Sequence, residues 1–139
     1  MSKNDTEKAW DWFRDIVGLA KGAEEHAAVA EREACCYAVM NDSRDKDDMR
    51  DSDDAFPLVT RHSAAAKRHF RAASRYRDLL RDLAESTGNE RAAEYLRNCE
   101  HHIERAKIAA ARARDAEKAV VDLFAGTPAN VPVCWMVDL

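Results

Sequence analysis

The stretch from Asn89 to Phe124 carries the longest unbroken apolar periodicity in the chain. Its apolar or small residues recur at alternating spacings of four and three, with Glu117 as the one break: Ala92, Leu96, Cys99, Ile103, Ala106, Ala110, Ala113, Val120 and Phe124. This spacing predicts a helix with a heptad seam. A second row widens the stripe enough to contact two neighbouring helices: Tyr95, His102, Ala109, Ala116 and Leu123.

The N-terminal part of the chain repeats the same period. Its series follows the 4/3 alternation throughout: Ala9, Phe13, Ile16, Ala20, Ala23, Ala27, Ala30, Ala34 and Tyr37. Asn4, with Glu7 three residues later, has the pattern of a helix N-cap. The sequence therefore predicts a first helix over about 6–41. Gly18 and Gly22 lie inside it and indicate either a kink or a close approach of a neighbouring backbone.

A second helix is predicted over 55–86, with Pro57 in its first turn, where the missing N–H costs least. Its apolar stripe comprises Val59, Ala66, Phe70, Ala73, Leu80 and Leu83. Thr87-Gly88-Asn89 predicts a tight break, with Gly88 in the left-handed conformation and Asn89 capping a third helix over 89–124. So short a turn makes the second and third helices antiparallel neighbours.

These patterns predict one all-α domain over 1–139, an elongated antiparallel three-helix bundle with heptad-like, Ala-rich seams and a short apolar C-terminal tail. Four Gly and three Pro in 139 residues agree with a helical chain of single-domain size. The middle of the seams is mostly alanine, which lets helices approach closely but buries little area per contact. A core this thin favours a second copy, and we expect a homodimer.

Charge is distributed unevenly along the chain. Residues 41–54 contain seven Asp and three basic residues, a net charge of −4 that equals the formal charge of the whole chain. We expect 42–54 to be a solvated acidic loop, because the glycine and closing Glu of a calcium-binding EF-hand loop are missing. From Ala55 to Arg77 there is no acid, and six residues are basic: Arg61, Lys67, Arg68, Arg71, Arg75 and Arg77. The simplest expectation pairs this basic face with the acidic loop or with Glu24, Glu31 and Glu33 of the first helix.

The large apolar residues outside the seams are candidates for partner binding. Trp10 and Trp12 point to different faces at the start of the first helix, so one of them can be an exposed aromatic anchor. The tail over 125–139 contains Trp135 and Met136 and would expose large apolar side chains if left in water. It can pack on its own bundle, contact a second copy or bind a partner.

No motif in the sequence names a reaction. Nucleophile motifs, glycine-rich phosphate loops and dinucleotide fingerprints are absent, and no Glu-x-x-His pair supports a ferritin-like metal centre. His26 and His102 lie beside the seams of the first and third helices, where they could face each other, but a hydrogen-bonded histidine is commoner than a ligand. We therefore expect no catalytic residues, no cofactor and no metal.

We also expect a cytoplasmic protein, because the sequence shows no secretion-type apolar run and no stretch approaching the ~20 apolar residues of a membrane span.

The function favoured by these patterns is a non-enzymatic protein-binding module, an adaptor or an inhibitor that occludes a larger bacterial complex. Size, composition and an excess of Arg over Lys are typical of phage proteins as well, such as anti-CRISPR inhibitors of host defence, by analogy alone. The residues expected to contact the partner are Trp10, Trp12, Trp135, Met136, Arg68, Arg71 and Arg75. The alternative is a nucleic-acid-binding regulator that uses the basic second helix.

Overall fold

The computed structural model describes residues 4–42 and 49–124, with side chains over 4–39 and 56–124. Three helices account for nearly all of these residues: α1 (Asp5–Asp42), α2 (Met49–Thr87) and α3 (Glu90–Phe124). Each helix packs against both of the others. The predicted three-helix bundle is confirmed. No helix within the described ranges has an apolar stretch long enough to cross a membrane.

Contacts at the two ends of the bundle establish the helix directions. At one end, Asn89 Nδ2 donates a hydrogen bond to Thr6 Oγ1 at 3.2 Å, so the α2–α3 turn lies beside the start of α1. At the other end, the rings of Phe56 and Phe124 lie 5.4 Å apart, so the start of α2 lies beside the end of α3. α2 therefore runs antiparallel to both α1 and α3.

The predicted caps are present. Glu7 N donates to Asn4 Oδ1 at 2.8 Å, which satisfies one of the unpaired N–H groups at the start of α1. Gly88 has a φ of 66°, a conformation that side chains other than glycine rarely adopt, and Gly88 N donates to Ala84 O at 3.0 Å. Ala92 N donates to Asn89 Oδ1 at 3.0 Å and starts α3. Local sequence chemistry therefore specifies this turn.

The start of α2 differs from the prediction. The helix begins at Met49 rather than at residue 55, so it includes part of the segment predicted as a loop and leaves 43–48 outside the described residues. Pro57 consequently lies inside α2 and not in its first turn. The prediction failed because residues 49–54 carry no apolar periodicity, although a solvated polar turn can extend a helix that is anchored further along the chain.

The core has two regions of different composition. One is a long layer of alanines from all three helices, bounded by Tyr37, Val59 and Val120. The other lies nearer the α2–α3 turn and contains the larger residues Ile16, Leu80 and Ile103, with several half-buried aromatic rings packed against it. The Ala-rich seams are thus confirmed. Few large side chains are fully buried, so each of them contributes a large share of the buried apolar area.

Candidate interaction surfaces

The two N-terminal tryptophans have different environments. Trp12 is half-buried and packs against the core near the α2–α3 turn. Trp10 is 46% exposed, and its ring lies 6.2 Å from the ring of Phe13 and 5.8 Å from that of Tyr95. Phe13 and Tyr95 stack at 5.2 Å and so connect α1 to α3. We call Trp10, Phe13 and Tyr95 the aromatic patch. Of the two predicted anchors, only Trp10 lies on a supported, open surface.

Trp135 and Met136, the other apolar residues predicted to contact a partner, lie outside the described residues. Their role in partner binding stays a prediction.

Two acidic residues of α1, Glu24 and Glu31, pair with arginines of α3. Arg105 donates to Glu24, and Arg112 donates to Glu31, so two ion pairs join α1 to α3. The hydrogen bond from Arg105 lowers the pKa of the Glu24 carboxyl from its ordinary value. The described partners of Glu24 and Glu31 are thus arginines of α3 rather than the basic face of α2, and a contact of that face with Glu33 stays a prediction. The rotation of α1 about its axis presents Glu24 and Glu31 to the neighbouring arginines of α3.

A groove between α2 and α3 collects basic side chains from both helices. It has a volume of about 610 Å³ and is lined by Thr60, Ser63, Ala64, Lys67, Phe70, Arg71, Lys107, Ala110, Ala111, Arg114 and Glu117. We call this the basic groove and its cations Lys67, Arg71, Lys107 and Arg114 the groove cations. None of the groove cations forms an ion pair with a carboxylate among the described side chains.

The three predicted arginines of α2 do not form a single site. Arg71 lines the basic groove. Arg68 is not among the residues that line the groove; burial is the main cause of the lowered pKa values of His26 and His69, and the charge of Arg68 lowers them further. Arg75 is exposed, two helical turns after Arg68 on α2. Sequence reasoning missed Lys107 and Arg114 because their seven-residue spacing on α3 is unremarkable until the register against α2 is known.

Three histidines meet at the interface of α1 and α2. Nδ1 of His26 lies 2.9 Å from Nδ1 of His62, a hydrogen bond that one of the two rings donates. The His26 ring also lies 5.0 Å from the ring of His69. We call these three residues the histidine cluster. The suggestion that His26 faces His102 is wrong, because His26 lies on the side of α1 that packs against α2.

His102 instead lies at the α1–α3 interface. Its Nδ1 accepts a hydrogen bond from Arg105 Nη1 at 2.8 Å. The centroids of the His102 and Phe13 rings lie 5.9 Å apart in a T-shaped arrangement. Burial lowers the pKa of His102, and the nearby Arg105 lowers it further.

Burial is also the main cause of the lowered pKa values of His26 and His69, and each of these two rings is further affected by a neighbouring imidazole. The neutral form of all three is thus favoured in the folded protein.

Gly22 makes room for the histidine cluster. A Cβ atom at this position would lie 2.8 Å from Cε1 and 2.9 Å from Nδ1 of His69, whereas a Cβ at Gly18 would meet nothing within 4 Å. His69 Nδ1 is itself buried without a hydrogen-bond partner among the described atoms. The sequence suggested that a neighbouring backbone could approach Gly22, but the group that lies close to it is the side chain of His69.

This contrast predicts opposite effects of two alanine substitutions. Gly18→Ala should raise the free energy of unfolding by about 0.5–1 kcal/mol, because alanine is the better helix former. Gly22→Ala should lower it by about 1–3 kcal/mol, because the His69 ring must move. Chemical denaturation of both variants measures the difference. Equal stabilities would show that His69 does not contact Gly22, and His69→Ala in the Gly22→Ala background should recover the loss.

The thiol of Cys99 is buried in the core. Burial raises the pKa of the Cys99 thiol to about 11, and its Sγ lies 3.1 Å from Leu96 O as a hydrogen-bond donor, so this thiol is a poor nucleophile. Within the part of the chain that the structure describes, no three His, Cys, Asp or Glu side chains are placed to share a metal ion. The features left for function are the aromatic patch, the basic groove and the histidine cluster.

Comparison with known proteins yields no family for this chain: no family model matches it, and no curated protein or solved structure shows significant similarity to it.

Proposed function

We propose that this protein is a non-enzymatic protein-binding module that acts as an adaptor or as an inhibitor occluding a site on a larger complex. The observation that supports the proposal is the aromatic patch. Trp10 leaves 46% of its surface exposed while Phe13 and Tyr95 support its ring from two helices. Tryptophan is enriched among the residues whose truncation weakens protein interfaces most.

The support beneath Trp10 matters as much as its exposure. Binding orders mobile side chains at a cost of about 0.5–1.5 kcal/mol for each one immobilised. The Trp10 ring is already restrained by contacts with Phe13 and Tyr95, which themselves stack at 5.2 Å. A partner that covers the aromatic patch therefore buries a large apolar ring with little further loss of rotamer entropy.

The second copy expected from the thin core stays a prediction, and the bacterial or phage setting of the partner is part of the proposal. Exposed apolar residues at the far end of α3, Val121 and Phe124, provide further area that a second copy could cover. They lie at the opposite end of the bundle from the aromatic patch, so a dimer formed there leaves Trp10 open to another protein.

The test of the proposal is capture from the lysate of the source cell with tagged wild-type protein, with and without nuclease. Trp10→Ala should reduce the amount of a defined partner that is recovered by at least about tenfold. Truncation of a central aromatic anchor typically costs about 2 kcal/mol or more of binding free energy. Leu79→Ala is the matched control, because Leu79 is 40% exposed and belongs to α2, whereas the aromatic patch is formed by α1 and α3. A partner retained equally by wild type and Trp10→Ala would refute the aromatic patch as the binding surface.

The alternative function, a nucleic-acid-binding regulator, is favoured by one observation: the groove cations and Arg68 and Arg75 have no ion pair with the described carboxylates. Binding of this kind depends steeply on salt and is insensitive to sequence. In the same capture experiment, material that disappears on nuclease treatment supports this alternative over a protein partner.

A further inference from the structure

We propose that the basic groove binds an acidic, amphipathic peptide segment of the partner protein, with carboxylates on the groove cations and apolar side chains on the groove floor. This proposal rests on the proposed function, because it identifies the chemistry of the partner. It concerns a surface distinct from the aromatic patch, which lies between α1 and α3, whereas the basic groove lies between α2 and α3.

The charge of the basic groove requires an acidic occupant. Lys67 and Arg71 line it from α2, and Lys107 and Arg114 line it from α3. Glu117 is the one acid among the lining residues, so four cations and one carboxylate give a local charge of +3. Glu24 and Glu31 of α1 pair with Arg105 and Arg112, which are not among the residues that line the basic groove. None of the four groove cations has an ion pair with a described carboxylate.

The floor of the basic groove requires apolar groups as well. Phe70, which packs against both regions of the core, lies there with Ala64, Ala110 and Ala111. The small side chains of these alanines leave room for the side chains of another helix. A phosphate backbone gains nothing from such a floor, and Glu117 repels it. An amphipathic helix with apolar residues at i and i+4 and flanking acids matches both features.

Two segments of this chain are weaker occupants. The acidic segment 41–54 has seven Asp, but Met49 is its only large apolar residue, so it matches the cations and leaves the floor uncovered. The tail over 125–139 is apolar, but Asp138 is its only acidic side chain, so it matches the floor and leaves most of the charge. Neither of these two segments combines both properties, so we assign the basic groove to a segment of the partner protein.

The test measures fluorescence anisotropy of the full chain with three labelled probes. The first is a synthetic helical peptide with Leu at i, i+4, i+7 and i+11 and Glu at most other positions. The second replaces each Leu by Ser and keeps the charge, and the third is an oligothymidylate of similar length. The Leu/Glu peptide should bind about tenfold or more tightly than the Ser/Glu peptide, because only the first covers the floor. Its affinity should fall as salt rises.

Charge reversal identifies the surface. The double variant Arg71→Glu/Arg114→Glu should weaken Leu/Glu peptide binding by about tenfold or more. The matched control Lys21→Glu/Arg32→Glu makes the same change in net charge at two exposed positions of α1, and it should bind within about twofold of wild type. Arg71→Gln/Arg114→Gln should give an intermediate loss. Circular dichroism melts show whether each variant still forms the helical bundle. Binding is then compared only among folded variants.

Several results would overturn the proposal. Equal binding of the Ser/Glu and Leu/Glu peptides would show that the floor is unused, and equal loss in both double variants would show a general charge effect. Stronger binding of oligothymidylate than of the Leu/Glu peptide would assign the groove to nucleic acid. No saturable peptide binding below about 100 μM would also refute it. None of these results bears on the capture of a partner through Trp10. The proposal for the basic groove can therefore be refuted while the proposed function is retained.

Discussion

Replacing Leu80 with alanine should lower the free energy of unfolding by about 2–5 kcal/mol. We expect no single substitution elsewhere in the bundle to destabilise the fold more. Leu80 is completely buried, and it is one of the largest side chains that the core encloses. Most other buried positions are alanines, whose small side chains cannot fill the space left behind. The cavity penalty is therefore expected to add to the lost transfer free energy.

The adjacent residue provides the control. Leu79 is 40% exposed in the same turn of α2, so Leu79→Ala should cost less than about 1 kcal/mol. Both variants have the same helix propensity change, so their difference isolates burial. Equilibrium unfolding in urea measures both values. Similar losses for the two variants would contradict the orientation of α2 in the bundle.

Acid should destabilise the fold well before its carboxylates titrate. The pKa values of His26, His69 and His102 are all lowered in the folded protein, with burial as the main cause. For His26, burial lowers the pKa most, His62 and Arg68 lower it further, and Glu25 acts in the opposite direction. The folded chain therefore resists protonation at these rings.

The direction of the effect follows from the lowered pKa values. Above about pH 7.5 the imidazoles are neutral in both states and contribute no pH dependence. As the pH falls through about 6.5, the unfolded chain binds protons that the folded chain cannot. Each excess proton lowers the free energy of unfolding by about 1.4 kcal/mol per pH unit, until the folded pKa is reached. Three such groups make the decline below about pH 6.5 steeper than one group alone would.

Urea unfolding at a series of pH values tests this decline. The double variant His26→Gln/His69→Gln should flatten it, and the remaining slope is expected from His102. A second loss belongs to Glu24: its lowered pKa means that the Arg105 pair stabilises the fold above about pH 4.5 and is lost as the pH falls further. Stability that stays constant from pH 7.5 to 5 in wild type would contradict the buried positions of the histidines.

The helical architecture could be predicted from the sequence because its signals are local. The 4/3 spacing of apolar residues, the Asn4 and Asn89 caps and the left-handed Gly88 each depend on a few neighbouring residues, and all three features are confirmed. The start of α2 was wrong because a polar turn extends a helix without leaving a periodic signature. Pro57 then lies inside the helix that it was expected to begin.

The candidate surfaces could be predicted only in part because they depend on how the helices are rotated and aligned. The sequence indicated that one of Trp10 and Trp12 is exposed, but the choice required the position of Tyr95 on α3. It allowed His26 to face His102, whereas the rotation of α1 brings His26 against α2. The basic groove joins Arg71 to Arg114, which are far apart in the chain and have no shared motif. Cross-helix register decides all three.

The most direct test of protein binding through Trp10 is hydroxyl-radical footprinting of the chain alone and in complex with its captured partner. The method reports the exposure of individual side chains, and Trp12, which is already half-buried, provides an internal reference. We predict that oxidation of Trp10 falls several-fold in the complex while that of Trp12 changes little. Unchanged oxidation of Trp10 in a saturated complex would contradict the proposal that the aromatic patch is the binding surface.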